Sequence, residues 1–180
     1  AVVIAKDTPN RSPPLFMHVS TAITDKNENG KVKNNDYFGG TLKGIKEKLP
    51  YLNDLGVTIL YLNPIFEAHS NHRYNTADYM KIDPMLGTEE DFKDLCQTAE
   101  NYGIKIILDG VFSHAGSDSI YFNREKRYPD NGAYNNPNSP YKDWFTFKSD
   151  GTYKSWWGID TLPETNESTP SFIEYIAGKN

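Results

Sequence analysis

At 180 residues the chain is long enough to bury a core of ordinary single-domain size. A net charge of −5, with no Lys/Arg cluster, speaks against nucleic acid and anionic membrane surfaces as partners. The lone Cys96 excludes an internal disulfide framework, and no apolar run nears the ~20 residues of a membrane span. Cys96 sits among apolar residues and reads as an inert, buried thiol.

Ala1 to Ala5 lacks the basic start and the length of a signal peptide. Leu15-Phe16-Met17-His18-Val19, after Pro13-Pro14, predicts a first strand. A polar loop follows, and within it Asp25, Asn27 and Asn29 fall at the first, third and fifth places of a calcium loop. Gly30 takes the sixth place, the Lys31 carbonyl the seventh and Asp36 the twelfth, with Lys33 at the ninth. Hard cations want oxygens at such alternate positions and a Gly for the tight turn. A solvated Asn/Gly turn would carry the same residues, so both readings stand.

Leu42, Ile45, Leu49, Leu52 and Leu55 recur at helical spacing, and Gly56 fits the place just past a helix end. Pro50 should kink that helix or remove one of its hydrogen bonds. Val57 to Leu62 predicts a second, buried strand, followed by a loop from Asn63 to Gly87. Thr88 is placed as an N-cap, with Glu89, Glu90 and Asp91 favourable to the helix dipole. Phe92, Leu95, Cys96, Ala99 and Tyr102 form that helix's apolar face, and Gly103 ends it.

Ile104 to Leu108 is short, apolar and β-branched, as a buried parallel strand would be. The order βαβαβ calls for parallel strands. Asp109 ends the third strand and His114 lies just beyond, at the edge where α/β folds build their sites. From Ala115 to Asn166 the periodicity dissolves into Tyr, Asn, Pro, Gly and Trp. A stretch of that length inside a compact domain is usually functional. Thr169-Pro170 opens a last helix, with Phe172, Ile173 and Ile176 as its apolar residues.

Asp109-x-x-x-x-His114 resembles the first signature of the α-amylase superfamily. Three further segments resemble its motifs, in order: Gly56 to Pro64, His72 to Tyr79 with Ile82-Asp83-Pro84 and Gly87-Thr88, and Leu162-Pro163-Glu164-Thr165-Asn166. Ser70 to Tyr79 and Trp156 to Pro163 resemble the neopullulanase and amylopullulanase branch. The resemblance implies an α/β fold: a partial TIM (β/α)8 barrel, its first three β/α units plus a protruding domain inserted after the third strand. It divides the chain into barrel residues 1–114, protruding domain 115–166 and the start of the following barrel helix at 167–180.

The resemblance also implies roles. Tyr74 would be the platform for a sugar ring, His114 would bond a sugar hydroxyl, and His72 would add to the same wall. Asp109 would orient an Arg beside the nucleophile. The nucleophile and general acid follow the family's fourth and fifth strands, and no Arg-x-Asp motif occurs in this sequence, so no catalytic carboxylate is assigned here. Relatives often bind calcium in the first loop, which favours Ca²⁺ at Asp25, Asn27, Asn29, Lys31 and Asp36. Ser113 replaces the Asn common before the His, so a second calcium is not expected.

The expected function is the N-terminal portion of a retaining α-glucan hydrolase acting on starch, pullulan or maltooligosaccharides. Its partners would be the glucan and the remaining part of the barrel, with no nucleic acid and no membrane. A secreted setting is favoured over a cytoplasmic one. A non-catalytic carbohydrate-binding or scaffold relative and a transglycosylase are the alternatives. Preference for α-1,4 or α-1,6 bonds is not legible.

Overall fold

In the computed structural model, residues 2–5, 28–30, 37, 40–129 and 131–178 are described. The elements run β1 (Val2–Ala5), α1 (Leu42–Asp54), β2 (Ile59–Leu62), β3 (Phe66–Ala68), β4 (Thr76–Ile82), α2 (Glu89–Asn101), β5 (Lys105–Leu108) and α3 (Pro170–Ala177). They belong to two compact units, one of residues 1–65 and 82–110, the other of residues 66–81 and 111–180. The strand expected at Leu15–Val19 lies outside the described residues.

In the first unit, α1 begins where Thr41 caps it, its hydroxyl accepting from the Gly44 N–H at 3.1 Å. Pro50 lies inside α1 on its exposed face, so the one carbonyl it orphans can be met by water and the helix continues. The chain leaves α1 through Gly56 at φ +75°, a left-handed conformation that costs glycine little. Leu55, expected on the apolar face, is instead the C-cap and 46% exposed.

A reciprocal capping box starts α2. The Thr88 hydroxyl accepts from the Asp91 N–H at 3.1 Å, and the Asp91 carboxylate accepts from the Thr88 N–H at 2.9 Å. These bonds hold the Asp91 carboxyl below its usual range. Leu95 and Ala99 of α2 pack with Leu42, Leu49 and Leu52 of α1 and with Leu60 and Leu62 of β2. Each buried leucine contributes on the order of 2 kcal/mol.

Strand order in this sheet is β1-β2-β5. β2 and β5 run parallel, Leu60 opposite Ile106 and Leu62 opposite Leu108, as the βαβ pattern requires. β1 runs antiparallel to β2, an element that the sequence pattern does not announce. The expected full burial of the strand at Ile104–Leu108 is not observed. Among the described residues β5 lies at the edge, Lys105 is exposed and Ile107 is 44% exposed.

The second unit also departs from expectation. Within the stretch read as the loop Asn63–Gly87, β3 and β4 pair as a two-stranded sheet. The irregular stretch after the third strand holds short 3₁₀ turns at Lys142–Trp144 and Trp156–Gly158 and isolated antiparallel bridges such as Phe147 with Tyr153, and it is organised by aromatics. Tyr79, Tyr121, Phe122, Trp144, Phe145 and Phe172 form its core. Tyr79 and Tyr121 stack at 5.3 Å, and the Trp144 indole N–H donates to the Ser171 hydroxyl at 3.0 Å. Gly132 is required by space, since a Cβ there would lie 2.6 Å from the Phe122 carbonyl oxygen. In α3, Phe172 is buried but Ile173 is 50% exposed, and Tyr175 packs on the core in the place expected for Ile173.

Thr76 in β4 is fully buried, and its hydroxyl is the one buried side-chain polar atom without a partner among the described residues. Replacing it with valine keeps the shape and removes the desolvation penalty. Thr76→Val is expected to raise stability by about 1 kcal/mol, read as a higher denaturant midpoint at unchanged slope.

Candidate functional site

A short loop in the second unit presents the first candidates. It closes on itself where the Ser70 hydroxyl donates to the Asn75 side-chain oxygen and accepts from the Arg73 N–H at 3.3 Å. Arg73 is held at φ 63°, a left-handed conformation disfavoured for residues with a Cβ. This turn sets the rings on either side of it parallel. His72 and Tyr74 stack at 6.2 Å with 25° between planes, and the Tyr74 N–H donates to His72 Nδ1 at 3.1 Å. His72 is exposed and Tyr74 half-buried.

His114 reaches the same loop from later in the chain. Its Nε2 lies 2.9 Å from the Tyr74 carbonyl oxygen, and its Nδ1 lies 3.1 Å from the Ser113 hydroxyl. A carbonyl only accepts, so Nε2 carries the proton and Nδ1 accepts from Ser113. The backbone around His114 is bridged to the Leu-Pro-Glu-Thr-Asn segment. Ala115 donates to the Pro163 carbonyl at 3.1 Å, and Thr165 donates to that of Ser113 at 3.0 Å. Tyr79 fixes the same turn, its hydroxyl donating to the His114 carbonyl at 2.8 Å. Trp156 packs on the imidazole at 5.0 Å, with Trp157 stacked on Trp156 in turn. His72 to Tyr79, His114 and Leu162 to Asn166 therefore lie in one unit, while Asp109, Gly56 to Pro64 and Ile82 to Thr88 belong to the other.

Burial holds the His114 imidazole below its ordinary pKa, with the Tyr74 carbonyl and the Glu164 carboxylate opposing. Desolvation lowers His72 too, aided by repulsion from His114. In both rings the fold disfavours the charged form. Well above the ordinary value of 6.5 neither ring takes up a second proton in the folded or the unfolded chain. Below it the unfolded chain binds protons that the fold resists, so stability falls as the pH drops from 6.5 towards the lower folded values. Thermal unfolding should show a lower Tm at about pH 5.5 than at about pH 8, and His114→Asn should narrow that gap.

In the first unit, Asp109 follows β5, its N–H donating to the Leu62 carbonyl at 3.1 Å. Desolvation raises the Tyr61 pKa, and the negative charge of the Asp109 carboxylate adds to that rise. Sequence reasoning did not select Tyr61, although its place in β2 beside the third strand was the available signal. His69, with no site role expected, pairs with Asp118 at 2.8 Å.

Among the calcium-loop residues, Asp25, Asn27, Lys31 and Asp36 lie outside the described residues. Asn29 and Gly30 belong to an exposed turn, with Gly30 at φ +73°. No cluster of three or more His, Cys, Asp or Glu able to hold a metal occurs among the described residues.

Comparison with known proteins gives a consistent result. Residues 17–177 match the family described as alpha amylase, catalytic domain. An amylopullulanase of Thermoanaerobacterium saccharolyticum is 61% identical over 135 residues, covering 72% of this chain and 11% of that protein. The intracellular maltogenic amylase of Bacillus subtilis is 41% identical over 79% of this chain and 24% of its own length. Among solved structures, the type III pullulan hydrolase of Thermococcus kodakarensis superposes with a TM-score of 0.67 at 39% identity, covering 78% of this chain and 24% of that one. The chain thus spans between a tenth and a quarter of the length of these relatives.

Proposed function

The chain belongs to the alpha-amylase catalytic-domain family and has part of its (β/α)8 barrel fold, and from that membership we propose that it supplies part of the sugar subsite of a retaining α-glucan hydrolase. Starch, pullulan and maltooligosaccharides are its substrates. The observation that carries this reading is the junction of the His72–Tyr74 loop with His114 through the 2.9 Å bond to the Tyr74 carbonyl. It draws two distant segments into one wall of rings and polar edges, which is what a glucose unit asks of its site.

The proposed division of labour follows from the side chains. Tyr74 offers an aromatic face to the apolar face of a pyranose, and its stacking with His72 limits its freedom before sugar arrives. His114 carries an N–H at Nε2, and its burial disfavours the doubly protonated ring. To meet a sugar hydroxyl it exchanges one acceptor, the Tyr74 carbonyl, for another. Asp109 holds a positively charged partner near the nucleophile through a charge-assisted bond. Retaining glycosidases need a nucleophile and an acid/base carboxyl about 5–5.5 Å apart, and this sequence assigns neither. Residues 115–166 serve as the domain roofing the site, with 1–114 and 167–180 as barrel.

Calcium fits the first loop in one described respect, the left-handed turn at Gly30. Asp25, Asn27, Asn29, the Lys31 carbonyl and Asp36 would hold it, and the ion would brace the loop.

The enzyme carrying this chain should release reducing ends from maltohexaose and from pullulan. Nuclear magnetic resonance should show the α-anomer first, and titration calorimetry should show heat on calcium addition. Glucan binding without hydrolysis would favour the non-catalytic reading instead. Neither binding nor hydrolysis would remove the α-glucan assignment. Absence of calcium heat would remove the metal alone.

A further inference from the structure

Trp157 is the most exposed large apolar side chain among the described residues, at 86%. It is also held at φ 52° and ψ 25°, the left-handed region, where a residue with a Cβ is disfavoured relative to glycine. Either feature alone is unremarkable. Together they mean that the fold accepts backbone strain in order to keep an indole in water. Such strain persists only where the surroundings over-determine it, and it gathers at functional sites.

The surroundings do over-determine it. The loop is pinched where the Trp156 N–H donates to the Leu162 carbonyl at 2.9 Å. Its outer limb is tied by the Asp160 carbonyl, which accepts from Arg124 at 3.1 Å and from the Tyr153 hydroxyl at 2.6 Å. The ring itself lies flat on Trp156, at 4.8 Å with 9° between planes. The Trp157 indole therefore rests partly against Trp156 while most of its surface faces solvent. A loose loop that happened to expose a tryptophan would show neither the ties nor the stacking.

What such a face suits is set by its position. Trp156, beneath it, packs on His114, and His114 bonds the Tyr74 carbonyl. The exposed indole thus stacks on a ring that packs on His114, and His114 in turn is tied to the main chain at Tyr74. We propose that Trp157 is a second sugar platform, taking a glucose unit of the same α-glucan some way along the chain from the ring on Tyr74. An indole has a wide, electron-rich face that matches the C–H face of a pyranose, and a pre-set ring loses little entropy on binding. The proposal rests on the α-glucan reading above and adds to it a dependence on chain length. Short substrates that fill the inner subsite never reach Trp157, whereas long ones do.

The test uses the full-length enzyme that carries this chain. Trp157→Gly suits the left-handed backbone, so the variant should fold, and Trp157→Phe keeps a ring. The ratio of kcat/KM for maltohexaose to that for maltotriose should fall about tenfold in Trp157→Gly, mainly through KM. Trp157→Phe should recover much of that ratio. Quenching of tryptophan fluorescence by maltohexaose should weaken in Trp157→Gly. An unchanged ratio would overturn the proposal, including the case where both substrates lose activity equally. So would a change of oligomeric state on size exclusion with glucan affinity intact, which would make Trp157 a protein-docking residue. A wild-type enzyme inactive on both oligosaccharides would overturn the α-glucan reading and this proposal with it, an outcome distinct from an active wild type with an unchanged ratio.

Discussion

His114→Ala in the enzyme carrying this chain is expected to lower kcat on maltooligosaccharides by about a hundredfold, with KM changing much less. The reasoning is differential. A neutral imidazole N–H bonded to a ground-state hydroxyl gains little on balance. The bond also fixes the sugar relative to the reacting carbon, and a misplaced ring costs more in the transition state than in the ground state, so its loss appears in kcat. The substitution also takes away the Nε2 bond to the Tyr74 carbonyl and the surface on which Trp156 packs. His114→Asn, which keeps a donor in a smaller side chain, should recover part of the loss if hydrogen bonding is the cause. Tyr74→Ala should raise KM as well as lower kcat, because a stacking platform binds the ground state too, while Tyr74→Phe should stay close to wild type. Wild-type kcat/KM in either alanine variant would remove that residue from the subsite.

Much of the first unit was legible because its signals are local. Leucines at helical spacing define α1, and Thr88 with an acid three residues later defines the start of α2. What escaped was whatever depends on pairing. Val2–Ala5 is an apolar run too short to show a period, and only its register against β2, Ala5 opposite Ile59, makes it a strand. β4 carries Asp78 and Lys81 beside buried Ala77 and Tyr79, so its alternation is blurred and the stretch reads as loop. Ile104–Leu108 has the composition of a buried strand, but composition cannot say how many neighbours a strand has among the described residues.

The site was legible to a different depth. Tyr74, His72 and His114 were selected as residues, and the structure brings them into one array. Their internal bonding was not legible. That His114 would spend both ring nitrogens on Ser113 and the Tyr74 carbonyl depends on a loop closed by Ser70 and Asn75, forty residues away in sequence. Trp156 and Trp157 were visible as a pair, but neither the left-handed turn nor the stack that separates their roles could be read from the letters.

The 180 residues expressed alone are expected to release no reducing sugar from pullulan or maltohexaose. A glycosidic bond is cleaved with retention only through a covalent intermediate on a carboxylate, with a second carboxyl protonating the leaving oxygen. The sequence holds no Arg-x-Asp segment of the kind that carries the family's nucleophile. Binding groups such as Tyr74 and His114 cannot replace that covalent step, however well placed. The same chain should self-associate. Among the described residues β5 is an edge strand with Ile107 44% exposed, and a strand edge with apolar side chains invites pairing with another copy. Size-exclusion chromatography should show species larger than a 20.5 kDa monomer. Adding the remaining barrel residues as a separate polypeptide should restore hydrolysis by covering that edge and supplying both carboxyls. A monomeric, cooperatively unfolding 180-residue chain that cleaved pullulan unaided would show that nucleophile and acid lie within these residues, and would overturn the assignment of a partial barrel dependent on its missing strands.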